Sequence, residues 1–196
     1  MAKTSKIISM FIQTEETPNP ATLKFIPDGQ IVLENGTAEF KSQQQAATKS
    51  PLALQLLEIS GVEAIFFGRD FITVTKGSAM QWPQLKAEIL ATIMDFYVSG
   101  KPIMFEQKLA EATSSEEDSE IVKQIKELIE VKVRPAVAMD GGDIIFDSFE
   151  DGIVRLQLKG SCSGCPSSTI TLKNGIENML KHYIPEVLGV EQIFED

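Results

Sequence analysis

Apolar positions along the 196-residue chain recur with a different rhythm in each half. In the first half, Trp82, Leu85, Ile89, Ile93 and Phe96 fall three or four apart, the spacing that gathers side chains on one face of a helix. Ser50-Pro51 announces a shorter helix upstream, with serine placed to cap free N–H groups and proline suited to the first helical position. It is expected to run to about Glu58 and to end near Ser60-Gly61. Between these helices, residues 62–67 and 71–75 predict two strands joined by a turn at Gly68, Arg69 and Asp70. Residues 10–12, 23–26 and 30–33 predict three more short strands. The sum is an α+β unit with helices over one face of a sheet.

In the second half, Ile121, Ile125, Leu128 and Ile129 form a helical stripe that is expected to stop at Arg134-Pro135. Gly141-Gly142 marks a turn into a strand over 143–149, and Glu150-Asp151-Gly152 predicts a tight hairpin. On the return strand Val154, Leu156 and Leu158 alternate with Arg155, Gln157 and Lys159, so one face is buried. Leu172, Ile176, Met179, Leu180 and Tyr183 define a second amphipathic helix ended by Pro185, and residues 190–194 a last strand. This predicts an α-β-β-α-β domain with a three-stranded sheet and two helices. Between the halves, EQKLAEATSSEED at 106–118 has few large apolar residues and a dense acidic cluster. It predicts a linker, with Ser114 and Ser115 as caps for the helix that follows. The expected organisation is two small α+β domains, 9–105 and 119–196, joined by an acidic linker.

Composition changes this picture little: 43% hydrophobic and 23% charged residues are ordinary for a globular chain, and no apolar run is long enough for a membrane helix. Neither a secretory signal nor an Arg-rich transit peptide is expected, so the default compartment is a bacterial cytoplasm, or a mitochondrial matrix for a processed organelle protein. Charge is more telling. Residues 1–112 hold 10 Lys/Arg and 12 Asp/Glu, whereas residues 113–196 hold 8 and 16. An acidic surface repels phosphate backbones, which argues against nucleic acid as a partner, and nothing suggests a membrane partner.

The chemistry concentrates in GSCSGCPSS at 160–168, which contains both cysteines of the chain. Half-cystines three residues apart close too small a loop to stabilise a fold much, so the pair asks for local chemistry. The loop lies between a strand end and a helix start, where free N–H groups and a partial positive charge favour thiolates. Lys159 and Lys173 flank it, Gly160 and Gly164 let backbone pass close to a bulky group, and Ser167 or Ser168 is placed to cap the helix. Iron–sulfur clusters and structural zinc both ask for four ligands. The chain's one histidine, His182, lies roughly 20–25 Å further along the helix and cannot join the same site. Two copies around a two-fold axis, each giving Cys162 and Cys165, complete four ligands. A thiol–disulfide oxidoreductase and a zinc-bridged dimeric adaptor are the alternatives. The first is weakened because a hairpin, not a βαβ unit, precedes the motif.

DGGD at 140–143, GSCSGCPSST at 160–169 and TLK at 171–173 closely resemble the C-terminal domain of NifU proteins. TPNP at 17–20 with LKF at 23–25, SPLA at 50–53 and GRDFITVTK at 68–76 resemble the accompanying Nfu N-terminal domain. The resemblance implies a scaffold or carrier, not an enzyme, that holds one [4Fe–4S] cluster per homodimer on Cys162 and Cys165. It further implies as partners a second copy, apo iron–sulfur clients and the upstream cluster assembly machinery.

Three remaining features are weighed against plain structural roles. Asp140 and Asp143 are expected to cap and solvate a turn rather than to bind metal. TPNP at 17–20 is expected to be a strand-connecting loop with its turns set by proline. Phe66 and Phe67 point to opposite faces of their strand, so only one can enter the helix-covered core and the other is left for a partner.

Overall fold

A computed structural model describes residues 10–105, 119–163 and 166–194, with the backbone alone at 166–169. The first unit holds strands β1 (Ile12–Glu16), β2 (Thr22–Pro27), β3 (Ala38–Phe40), β4 (Val62–Phe67) and β5 (Ile72–Lys76). Its helices are α1 (Gln43–Lys49), α2 (Pro51–Glu58) and α3 (Trp82–Ser99). The strands form one antiparallel sheet in the order β1-β2-β5-β4-β3. Side chains alternate faces along each strand. One face therefore gathers Leu23, Phe25, Ile65, Phe67, Ile72 and Val74 against Leu52, Leu56, Leu85, Ile89, Ile93 and Phe96 of the helices. Ser50 caps α2 as its sequence predicts: Ala53 N–H donates to its hydroxyl oxygen at 3.1 Å, and the hydroxyl donates to Ile103 O at 2.5 Å.

One local expectation for this unit is corrected, and one element is added. Residues 30–33 are not a strand, because the N–H groups of Val32 and Leu33 both donate to the single carbonyl of Arg69, at 2.7 and 3.2 Å. One acceptor shared by two donors pins a segment to a turn and builds no ladder. The edge strand is instead β3, and the unanticipated α1 follows it, capped by Ser42, which accepts from Gln45 N–H at 3.2 Å.

The second unit runs α4 (Glu120–Leu128), a π-helical turn (Ile129–Val133), α5 (Arg134–Met139), β6 (Gly142–Glu150), β7 (Ile153–Gly160), α6 (Pro166–Tyr183) and β8 (Gly189–Ile193). It is the expected α-β-β-α-β arrangement, with the helix from α4 to α5 as its first helix. That helix does not stop at Arg134-Pro135. The N–H of Arg134 donates to Ile129 O, five residues back, and this wider turn lets the chain pass the proline, which has no N–H to give. Helix α4 is capped by Ser119; Ser114, Ser115 and the linker at 106–118 lie outside the described residues. Strands β6 and β7 join through a hairpin with positive φ at Asp151 (+51°) and Gly152 (+79°), as the Asp-Gly pair predicts. Strand β8 pairs parallel to β7, a pairing that needs a long crossover, and α6 supplies it. Ile125, Ile129, Val137, Ile144, Val154, Leu156, Ile176 and Leu180 form the core. Among the described residues no helix is long and apolar enough to cross a membrane.

Candidate metal centre

The loop that carries Cys162 leaves the end of β7, and a second turn packs against it. Gly142 and Gly160 are paired across β6 and β7, and Ser161 N–H donates to Gly141 O at 3.2 Å. Both turns depend on glycine: φ is +82° at Gly141 and +66° at Gly160, a region costly for other residues. A Cβ on Gly160 would lie 2.7 Å from Gly141 O and 3.0 Å from Gly142 Cα, and one on Gly142 would lie 2.8 Å from Cys162 Sγ. A close neighbour that requires glycine at 160 is thus the Gly141-Gly142 turn.

Cys162 lies in the core of the second unit with 5% of its surface exposed. Burial pushes its thiol up to about 11; the Ser161 hydroxyl, 3.8 Å away, opposes this, and the charges of Asp140 and Asp143 add to it. Burial at Cys162 thus opposes the thiolate that a helix N-terminus favours. The helix begins at Pro166, beyond the loop, while the thiol packs on Gly142 in an apolar interior. A metal that needs the thiolate has to displace a proton held by burial. Cys165 and Gly164 lie outside the described residues, as do the side chains of Ser167 and Ser168. His182 is exposed in the last turn of α6, at the end away from the loop, with its ring edge-on to Tyr183.

The Asp143 carboxylate serves structure. Asp143 Oδ1 accepts from Arg134 Nε at 2.9 Å and from Ile144 N–H at 2.8 Å, and Oδ2 accepts from the Thr37 hydroxyl at 2.7 Å. Arg134 also pairs with Glu130, so one cation ties the π-helical turn to the start of β6. The carbonyl of Asp140 accepts from the Ser161 hydroxyl.

The first unit joins this site, which the sequence did not reveal. Asn19 Nδ2 donates to Ser161 O at 3.2 Å, and Thr73 Oγ1 donates to Gly141 O at 2.8 Å. Gly160 N–H donates to Glu39 Oε1 at 3.0 Å, and Lys24 Nζ donates to Met139 O at 3.2 Å. TPNP at 17–20 is thus more than a connecting loop. Thr17 and Asn19 set its turn through their own side chains, and Asn19 then reaches the cysteine loop at Ser161. Phe67 enters the helix-covered core as one of the pair must. Phe66, on the other face, is 2% exposed and lies beside Phe71 and Gly160, so the aromatic left for a partner is taken by the chain's own second unit. The adjacent aromatics Phe66 and Phe67 were the one sequence signal that both faces are covered. Lys24, Glu39 and Thr73 look like any solvated strand face.

A family model described as "Scaffold protein Nfu/NifU N terminal" matches residues 12–100, and one described as "NifU-like domain" matches residues 125–191. The human protein named "NFU1 iron-sulfur cluster scaffold homolog, mitochondrial" is 57% identical over 188 residues, which is 95% of this chain and 73% of that protein. The protein of the same name from Drosophila persimilis is 51% identical over 189 residues, 96% of this chain and 67% of its own length. "NifU-like protein 4, mitochondrial" from Arabidopsis thaliana is 53% identical over 192 residues, 95% of this chain and 67% of its own. The chain thus spans 67% to 73% of the length of these three relatives.

Proposed function

The chain belongs to the Nfu/NifU scaffold family, and from that premise we propose that it holds an iron–sulfur cluster and hands it to apo-proteins, without being an enzyme. The ligands are Cys162 and Cys165, and the cargo is one [4Fe–4S] cluster shared by two copies. The observation that carries this is the ligand inventory. The chain has two thiols on one loop and a single histidine at the far end of the following helix, half of what a four-ligand site needs. A second copy related by a two-fold axis supplies the other half.

Transfer is ligand exchange. Each client thiol gives up a proton, its thiolate replaces one of the carrier's, and the departing cysteine takes up a proton, with no change in iron oxidation state. Burial that favours the protonated form of Cys162 works in the direction of release. Partners are therefore a second copy, apo iron–sulfur clients and the machinery that builds the cluster. The relatives named above are mitochondrial, which favours the mitochondrial matrix over a bacterial cytoplasm for this chain.

Anaerobic reconstitution of the full chain, with iron, sulfide and zinc analysis and a mass measurement, tests this. A dimer with about four iron and four sulfide per pair is expected. Cys162→Ser and Cys165→Ser are each expected to lose cluster retention while staying folded. Zinc at one per dimer without iron uptake would replace the carrier with an adaptor. A metal-free monomer that reduces disulfides would replace it with an oxidoreductase.

A further inference from the structure

Strand β1 is an outer strand of its sheet. The N–H of Asp28 donates to Phe11 O at 2.9 Å, which makes Phe11 and Asp28 a hydrogen-bonded pair in the register of β1 with β2. Antiparallel pairs alternate, so Gln13 and Glu15 also bond to β2. Ile12, Thr14 and Glu16 then turn their N–H and C=O groups outward, and Ile12 faces Pro27, which has no N–H to give. Among the described residues no strand pairs with that edge.

The same residues line a groove. Ile12 packs in the helix-side core, so Thr14 and Glu16 share the helix-covered face. There they border a cavity of about 500 Å³ together with Leu23 of β2 and with Trp82 and Lys86 of α3. A groove between an outer strand and a helix suits an extended segment that pairs with the strand and places alternate side chains in the cavity. The indole is fixed by donation from Nε1 to Pro20 O at 3.1 Å, and its ring offers surface to one large apolar side chain. The rim carries charge as well. Glu15 is taken by Lys24, whereas Glu16 is exposed and has no ion pair among the described residues. It favours a lysine or arginine beside the apolar anchor and repels a second acidic edge. Lys86 stands on the helix side of the cavity, so the partner's cation belongs on the strand side.

The turn at 17–20 connects this groove to the metal centre. Pro18 and Pro20 line the cavity, and Asn19 between them donates to Ser161 O, next to Cys162. One turn thus borders both the groove and the cysteine loop. Ligand exchange needs client thiols beside the carrier's own, and a client held at the groove presents them at high effective concentration. We infer that the groove between β1 and α3 is the docking site for an extended segment of an apo iron–sulfur client, which joins the sheet as a further strand. This rests on the carrier function proposed above.

The fluorescein-labelled peptide KTVTLTVTK, rich in strand-forming residues and basic at both ends, is the probe. With the metal-free full chain it is expected to bind saturably in fluorescence anisotropy and to shift the emission of Trp82, the chain's one tryptophan. In amide hydrogen exchange it should slow Thr14 and Glu16 and leave Gln13 and Glu15, already bonded to β2, unchanged. Thr14→Pro removes an N–H that the ladder with β2 does not use, and it should weaken binding at least about tenfold. Glu16→Lys should weaken it about two- to fivefold and tighten the acidic counterpart ETVTLTVTE. On the loaded dimer, saturating KTVTLTVTK should slow delivery to apo-aconitase, an acceptor whose regained activity reports the cluster. Unchanged exchange at Thr14 and Glu16 overturns the strand addition, whether or not Thr14→Pro folds. Undiminished delivery with the groove filled overturns the client as its occupant. A metal-free dimer that protects Thr14, or loss of Thr14 protection on removing residues 1–9, replaces the client with a second copy or with the chain's own N-terminus. A wild-type chain that takes up no iron defeats the carrier function, while the exchange comparison still decides the groove.

Discussion

The two faces of the five-stranded sheet are both buried, but by different means. The helix-side face is apolar and continuous, with Phe25, Ile65, Phe67 and Ile72 fully enclosed. The opposite face carries Lys24, Thr73, Phe66 and Glu39, and it is covered by two glycine turns of the second unit. Burial of the first kind scales with apolar area and tolerates no opening. Burial of the second kind replaces water with matched backbone groups, a near-even exchange. The face buried in that second way is the one that meets the cysteine loop.

The sharpest separation of the two faces comes from neighbouring residues on β4. Phe67→Ala is expected to destabilise the first unit by about 3–5 kcal/mol in urea unfolding, the usual loss for a fully buried phenylalanine. Phe66→Ala is expected to cost markedly less in the same measurement, because the cavity it leaves lies between the units rather than inside one. Equal losses would break the comparison and make both faces structural. Next in size is Gly141→Ala, which combines a φ of +82° with a Cβ 2.9 Å from Thr73 Oγ1. A loss of about 1–3 kcal/mol is expected in the unfolding of the second unit. Unchanged stability would mean that the turn adjusts freely and that its fit against Thr73 is loose.

The smallest effects are alkaline. Cys162 and Tyr97 are both pushed up by burial, to about 11 and about 12, so the folded chain favours their neutral forms. Stability from them is fully present below their usual values of 9.0 and 10.0 and is lost as pH rises through the folded values. The melting temperature should therefore fall in two stages. Cys162→Ser should remove the lower stage, in the second unit, and Tyr97→Phe the upper, in the first. Tyr97 Oη is buried without a hydrogen-bond partner among the described residues, so Tyr97→Phe should leave neutral-pH stability unchanged or slightly raised. A single alkaline stage, or one unaffected by either change, would contradict this assignment.

Most elements were legible because they rest on local signals. Ser50-Pro51 starts a helix through its own cap, Asp151-Gly152 turns a hairpin through its own φ angles, and Leu85, Ile89, Ile93 and Phe96 mark a face by spacing alone. The failures share one cause. Residues 30–33 have the composition of a strand but are captured by Arg69, distant in sequence. Pro135 reads as a helix stop, yet a π-helical turn absorbs it while Arg134 holds Asp143. The site divides along the same line. Two cysteines on one loop and a single distant histidine are countable, but Lys24, Glu39 and Thr73 occupy positions indistinguishable from an ordinary wet strand face.

The sequence by itself thus determined two α+β units, their helix-side cores and a pair of cysteines on one loop, because period, caps and residue counts act over a few neighbouring positions. Only the tertiary structure decided that the polar face of one unit lies on the ligand turns of the other and that Cys162 is shut inside. That match is made largely with main-chain carbonyls and amides, which every residue carries and no sequence pattern displays.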